Sequence, residues 1–351
     1  MNSLADYGME DRIFVLLTVG TLLLLGLAVA FGLATLLLRW RHNRVARLWA
    51  GLEARWEPVI HRVLAGDSPP EALTRLVRPR EALRFLDFLS RFARRLAGDE
   101  VRVLQEVARP FLPHLARGIR RRGAEARARA VQTLGVLGLP EHREVVREAV
   151  DDESALVSIL AARALSRSGE PDSVALVLDR LDRYELWHPA FLSGLLSEGG
   201  LEGAPLLRAA LADPSRSDAS RTVVANALRD VGDPEAADTA CRVLGDEAGP
   251  DLTVACLRLL AEMGASRHRG CVLPFVASPH FQVRSYALNA LRTVGTGDDL
   301  PAFTAALEDG SPWVAMEAAR GIRELGGTEL LAGLAEGGGP RGELARQVLA
   351  E

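Results

Sequence analysis

No lysine occurs anywhere in the chain: all 42 positive side chains among 351 residues are arginine. That removes the phosphate-binding lysine of P-loop enzymes, the Schiff-base lysine and every other lysine-dependent motif. Cysteine is scarce at three, without a C-x-x-C pair, so a disulfide-built miniprotein does not fit. Aromatic residues make up only 5%. Also missing are G-x-S-x-G, H-E-x-x-H and Asp-x-Asp, which argues against a serine hydrolase, a zincin and a metal-dependent sugar transferase. Gly337-Gly338-Gly339-Pro340-Arg341-Gly342 has the spacing of a nucleotide-binding glycine loop, but no strand precedes it, and it reads as a turn. What the chain does have is Ala, Leu, Arg and Glu, with 48% hydrophobic and 25% charged residues. This composition is helical, fills a sizeable core, and points to a scaffold rather than an enzyme.

The net charge of −4 conceals an asymmetry. Residues 1–38 carry one arginine against Asp6, Glu10 and Asp11, and residues 39–129 carry 21 arginines against 10 acids. The remainder carries 20 arginines against 33 acids, so a basic collar joins an acidic body. Basic stretches bind nucleic acid or anionic lipid, and the neighbouring segment selects between them. Residues 13–38 hold no charge at all. As a helix they reach about 39 Å, against roughly 30 Å of hydrocarbon, so they read as one transmembrane helix. Ala28-Val29-Ala30 has the look of a signal cleavage site, but the preceding region is acidic and the apolar run continues past it. Arg39, Arg41, Arg44 and Arg47 follow at once. The positive-inside rule then places residues 1–12 outside an inner (plasma) membrane and everything after Leu38 in the cytoplasm. These four arginines and Trp40 are the expected contacts with anionic lipid, at about 1 kcal/mol per arginine near the surface. Gly26, Ala30 and Ala34 recur every four residues and form a candidate face for packing against another membrane helix.

Residues 39–125 read as amphipathic juxtamembrane helices at 44–64, 81–96 and 101–109, broken by Gly66-Asp67-Ser68-Pro69-Pro70, Gly98-Asp99 and Pro110 with Pro113. No stacking aromatics interleave with the arginines and no groove-entering helix is evident, so no nucleic-acid partner is expected.

Residues 126–351 contain a repeat. Leu134, Leu165, Leu196, Leu228, Leu259, Leu291 and Ile322 stand 31 or 32 residues apart. Four residues before them come Ala130, Ala161, Leu192, Val224, Ala255, Ala287 and Ala318, one helical turn away on the same face. Four residues after them come Gly138, Gly169, Gly200, Gly232, Met263 with Gly264, Gly295 and Gly326. Glycine there predicts a helix stop in the left-handed conformation. Each unit is two short helices that cannot bury their own apolar faces, so the prediction is an all-α solenoid.

Gly169-Glu170-Pro171-Asp172 and Gly232-Asp233-Pro234-Glu235 turns, Asp-Pro corners, and Val283-Arg284 followed by Ala287 and Ala290-Leu291 resemble HEAT repeats of the short bacterial type. Arg127, Arg221 and Arg284, each seven before its anchor, match the arginine of that pattern. Unit 155–185 lacks the Val-Arg, and unit 186–218 diverges with Trp187 and Pro189. The layout of one span, a helical collar and repeats is similar to membrane-anchored HEAT proteins that accompany family-2 glycosyltransferases of envelope polysaccharide synthesis. That resemblance implies an accessory or regulator of a membrane enzyme complex. The alternative it leaves is a bilin-lyase-like HEAT protein that binds a small molecule or chromophore. HEAT-like hydroxylases bind iron through His-Glu dipeptides, and none of the seven histidines here precedes a glutamate.

No catalytic, metal or cofactor site is expected. Cys241, Cys256 and Cys271 read as reduced core residues, His142, His188, His268 and His280 as surface residues without a carboxylate partner, and Trp187 and Trp313 as core wedges at the corners. The candidate partner-binding surface is a polar stripe on the second helix of each unit: Gln132, Arg163, Ser166, Asn226, Arg229, Asn289, Arg292, Arg320 and Arg323. The family resemblance puts that helix on the concave face.

Overall fold

The computed structural model describes residues 9–93, 95–96, 98–119, 123–137, 140–184, 186–246 and 248–351. All regular elements among them are helical, and the chain divides into two compact units between Pro110 and Phe111.

The first unit contains α1 (Met9–Leu64), α2 (Pro70–Thr74), α3 (Ala82–Ala93) and α4 (Asp99–Ala108). Here the apolar segment and the helix expected at 44–64 are one uninterrupted helix. No glycine or proline lies between Leu38 and Arg44, so nothing stops the backbone where the hydropathy changes. Along Leu16–Arg41 the helix is exposed, long and apolar enough to cross a membrane. Further on, Trp56, Ile60 and Val63 are buried in the core shared with α2, α3 and α4. The Trp56 ring meets Phe85 edge-on at 5.1 Å and Phe88 at 5.5 Å. Around this core Arg55 donates to the Leu76 carbonyl at 3.0 Å and pairs with Glu81, and Arg91 pairs with Glu53.

The second unit runs α5 (Leu112–Gly118), α6 (Ala124–Leu137), α7 (Arg143–Glu148), α8 (Ala155–Arg167), α9 (Pro171–Asp179), α10 (Pro189–Ser197) and α11 (Gly200–Ala212). It continues with α12 (Asp218–Val231), α13 (Ala236–Leu244), α14 (Pro250–Met263), α15 (Arg269–Val272), α16 (Phe281–Val294), α17 (Leu300–Ala306), α18 (Pro312–Glu324), α19 (Thr328–Glu336) and α20 (Pro340–Ala350). The even-numbered helices from α6 to α20 stack one on the next, and each odd-numbered helix packs beside them. All seven anchors, and the residues four before them, are buried on the even-numbered helices. This is the predicted solenoid. Helix α5, placed with the collar on sequence, packs on α6 within this unit.

The glycine stops divide into two kinds. Gly169, Gly200, Gly232 and Gly326 have positive φ as predicted; Gly138 lies outside the described residues. Gly264 and Gly295 do not, with φ of −66° and −81°. They are needed for space instead, because a Cβ would stand 2.3 Å from the carbonyl oxygen of Leu260 or Leu291.

Repeats are also stapled by charge. Arg127 forks onto Asp152 at 2.8 and 2.9 Å, and Arg284 onto Asp309 at 2.7 and 2.8 Å; in each case the acid opens the corner of the next unit. The same acids accept from the backbone N–H of Ser154 and Ser311. In unit 155–185 the arginine position holds Ser158, which lies 2.8 Å from the buried Tyr184 hydroxyl, so a neutral pair replaces the ionic one. Hydrogen bonds from the arginines hold Asp152 and Asp309 below the usual carboxylate range. A carboxyl whose pKa is lowered by folding stabilises the fold above its unfolded value of about 3.9, and that contribution disappears as the pH falls through the folded value. Asp309→Asn is therefore expected to cost about 1.5–3 kcal/mol at pH 7. In urea titrations at pH 7, 5 and 3, its difference from wild type should persist at pH 5 and shrink at pH 3.

Candidate partner-binding surface

The predicted stripe lies along the even-numbered helices. Gln132 on α6 is exposed, and Asn226 donates to the Thr222 carbonyl of its own helix. Ser166 has to be removed from the stripe, because it is fully buried. Gly199 covers it so closely that a Cβ there would stand 2.7 Å from the Ser166 carbonyl oxygen.

The arginines of the stripe are each shared with acids farther along the solenoid. Arg163 donates to Glu198 at 2.6 Å, Arg229 meets Glu262 at 3.5 Å and Asp230 at 2.9 Å, and Arg292 joins Glu317 at 2.8 Å and Glu324 at 2.9 Å. Asn289 donates to the same Glu317 at 3.2 Å. Arg320 forks onto Glu351 at 2.8 and 3.0 Å, and Arg323 donates to the Val348 carbonyl at 2.5 Å. Arg320 holds the Glu351 carboxyl below its usual range. The face is thus a ladder of alternating charge, with geometry set by the repeat, rather than an open basic groove. Glu198, Glu262 and Glu324 were missed on sequence, although each stands two or three residues after an anchor.

A second surface lies at the N-terminal ends of even-numbered helices. Leu156, Phe281 and Trp313 are exposed there on α8, α16 and α18. Trp313 is 71% exposed, which corrects its reading as a core wedge: at the second position of α18 its side chain points off the corner instead of into the stack. Trp187 is half-buried and stacks on Phe191 at 5.3 Å, with Leu186 fully exposed beside it.

On α1, Arg39, Trp40, Arg41, Arg44 and Arg47 are all exposed, and the Arg44 guanidinium sits 5.3 Å from the Trp40 ring centre. Gly26, Ala30 and Ala34 are exposed too, and among the described residues a Cβ on Gly26 would meet nothing within 4 Å.

Two readings of reactive side chains are corrected. His268 is buried and does have a carboxylate partner, Asp238, at 2.7 Å. Its Nδ1 accepts from the Ala265 backbone N–H at 3.0 Å, which puts the imidazole proton on Nε2, where it donates to Asp238. Hydrogen bonds from Arg267 and then His268 bring the Asp238 carboxyl down to about 2. The cysteines are not three reduced core residues. Cys241 and Cys271 form a disulfide, and Cys256 alone is a buried thiol, pushed up to about 12 by that burial. Among the described residues no three metal-ligating side chains gather, and His188 caps α10 by accepting from the Ala190 N–H at 3.2 Å.

Comparison with curated proteins gives no match. Among solved structures, the CpcE–CpcF complex of phycocyanin lyase from Nostoc is 19% identical over 59% of this chain and 74% of that one, with a TM-score of 0.36. Human deoxyhypusine hydroxylase in complex with glycerol is 16% identical over 78% and 96%, with a TM-score of 0.30. Kap121p bound to RanGTP is 12% identical over 81% and 39%, with a TM-score of 0.43. The family model of HEAT repeats matches residues 112–186, from α5 into the corner before α10. Residues 112–186 are thus similar to HEAT repeats, and the anchor spacing within them continues through the stacked helices to Ile322.

Proposed function

We propose that this protein is a membrane-tethered interaction scaffold with no catalytic activity of its own. The observation that carries the reading is α1. One unbroken helix holds a membrane-length apolar face and then buries Trp56, Ile60 and Val63 in a folded collar. A flexible linker would let the collar wander, whereas a continuous helix fixes its distance from the bilayer at about 1.5 Å per residue beyond Leu38. Arg39, Arg41, Arg44 and Arg47 orient it, with the repeats on the cytoplasmic side. The solenoid then offers an extended surface to a protein partner. In keeping with the layout that the sequence resembles, the partner is a membrane enzyme complex, with an envelope polysaccharide glycosyltransferase the leading candidate.

Mild-detergent co-purification of the full chain, beside a form lacking residues 1–38, tests this. A membrane enzyme should accompany the full chain and be depleted from the shortened form. If both forms bring down the same soluble proteins, the partner reading fails. Protease treatment of sealed vesicles tests orientation separately: the repeats should be digested only from the cytoplasmic side.

A further inference from the structure

A disulfide in a domain facing the cytoplasm sits where small thiols are plentiful. We propose that Cys241 and Cys271 form a reversible thiol–disulfide exchange site that ties two successive repeats, with a small thiol of the glutathione class as co-reactant. The proposal rests on the cytoplasmic reading above.

The two cysteines lie on α13 and α15, the first helices of neighbouring units, 30 residues apart. Their separation falls two residues short of the 32 between Leu259 and Leu291, so they lie at neighbouring rather than identical places in successive first helices, and the stack brings them side by side. Their Cα atoms are 5.6 Å apart, within the range a disulfide spans without backbone movement. Both residues are half-buried, which leaves the pair within reach of a small thiol. Cys256 is sealed inside α14, and its raised pKa keeps it out of exchange.

The surroundings suit both redox states. Asp238 stands three residues before Cys241 and His268 three before Cys271, and their 2.7 Å hydrogen bond joins the same two segments. Arg267 adds a second bond to Asp238 at 3.2 Å. This polar clasp holds the sulfurs near each other after the bridge opens. The His268 carbonyl oxygen lies 3.1 Å from the Cys271 sulfur, ready to accept a hydrogen bond from the thiol that reduction creates. Helix α15 is only four residues long and lies between the tight turns Ser266–His268 and Leu273–Ala277, so it depends on cross-ties more than its longer neighbours do.

The step balances as ordinary exchange. A thiolate of the co-reactant attacks one sulfur, the protein S–S bond breaks and a mixed disulfide forms. A second thiol then displaces the protein sulfur. Two electrons and two protons end on Cys241 and Cys271, and the co-reactant leaves as its own disulfide.

The test uses the full chain in detergent, equilibrated in reduced and oxidised glutathione mixtures, alkylated either in the native state or after denaturation, and read by mass. Under oxidised glutathione no thiol should react natively and one, Cys256, should react after denaturation. Under reduced glutathione Cys241 and Cys271 should become alkylated together in the native protein. Amide exchange across residues 266–277 should then rise about tenfold, with α6–α12 unchanged. A Cys241→Ser/Cys271→Ser variant should show the fast exchange in every mixture. A pair that opens only in denaturant, three free thiols under oxidised glutathione, or unchanged exchange at 266–277 would each overturn the proposal. Failure of the cytoplasmic reading is seen separately, as digestion of the repeats from the opposite side of sealed vesicles.

Discussion

Trp56→Ala is expected to unfold the collar while the solenoid stays folded. Trp56 is fully buried on the part of α1 that follows the apolar segment, and it is the largest side chain in a core shared with Phe85, Phe88, Leu73 and Leu104. Truncating a buried tryptophan costs about 3–5 kcal/mol. A collar of about 70 residues, from 39 to 110, has little more than that to lose. Amide exchange should therefore show α2, α3 and α4 losing protection, whereas the even-numbered helices of the separate second unit keep theirs. Trp56→Phe is the informative companion. Among the described residues the Trp56 ring nitrogen has no hydrogen-bond partner, so phenylalanine keeps most of the packing and removes a buried donor unpaired there. It should retain the protection that alanine loses. If Trp56→Ala leaves α2–α4 protected, the collar is held by something other than this aromatic core.

How much of this was legible in the sequence depends on which physical effect sets each feature. The anchors from Leu134 to Ile322 were legible because burial of one apolar face imposes a period, and the period is written in the residues. The join within α1 was not, because the edge of an apolar run marks where a membrane would end and not where a helix ends. Gly264 and Gly295 look like left-handed stops, but sequence does not distinguish a glycine needed for its φ from one needed because Leu260 or Leu291 leaves no room for a Cβ. Trp313 and His268 sit at corners, where burial is decided by how the next repeat packs. One came out exposed and the other buried. The cysteines carried a readable signal. Spacings of 15 and 15 put Cys256 on a different helix of the stack, while the total of 30, within two residues of one repeat, puts Cys241 and Cys271 on the first helices of successive units. The stripe was visible as a row of polar positions, and its neutralisation was not, because the acids that pair with it come from farther along the stack.

The contact between α6 and α8 should be the solenoid's most size-sensitive point. A Cβ built on Gly135 would lie 2.2 Å from the Ala164 Cβ and 3.3 Å from its Cα, so the obstacle is backbone and a methyl group that cannot rotate away. Carbon atoms pack at about 3.5–4.0 Å, and the helices must therefore separate before any side chain fits. Gly135→Ala gains about 1 kcal/mol of helix propensity but meets an overpacking cost of about 1–3 kcal/mol. Gly135→Leu gains nearly as much propensity but forces a far larger side chain into the same contact, and should cost several kcal/mol. Because repeat stability passes from neighbour to neighbour, the damage should appear as loss of exchange protection in α5–α7, with α12–α18 retained. Ala164→Gly supplies the control. Alone it should destabilise by about 1 kcal/mol through propensity, yet combined with Gly135→Ala it moves the single methyl from one helix to the other and restores the spacing. The double variant should thus be more stable than the two single effects add up to, by roughly 1–2 kcal/mol in a urea-denaturation cycle. Additive losses, or a Gly135→Ala protein more stable than wild type, would mean that the helices are not held this close in solution.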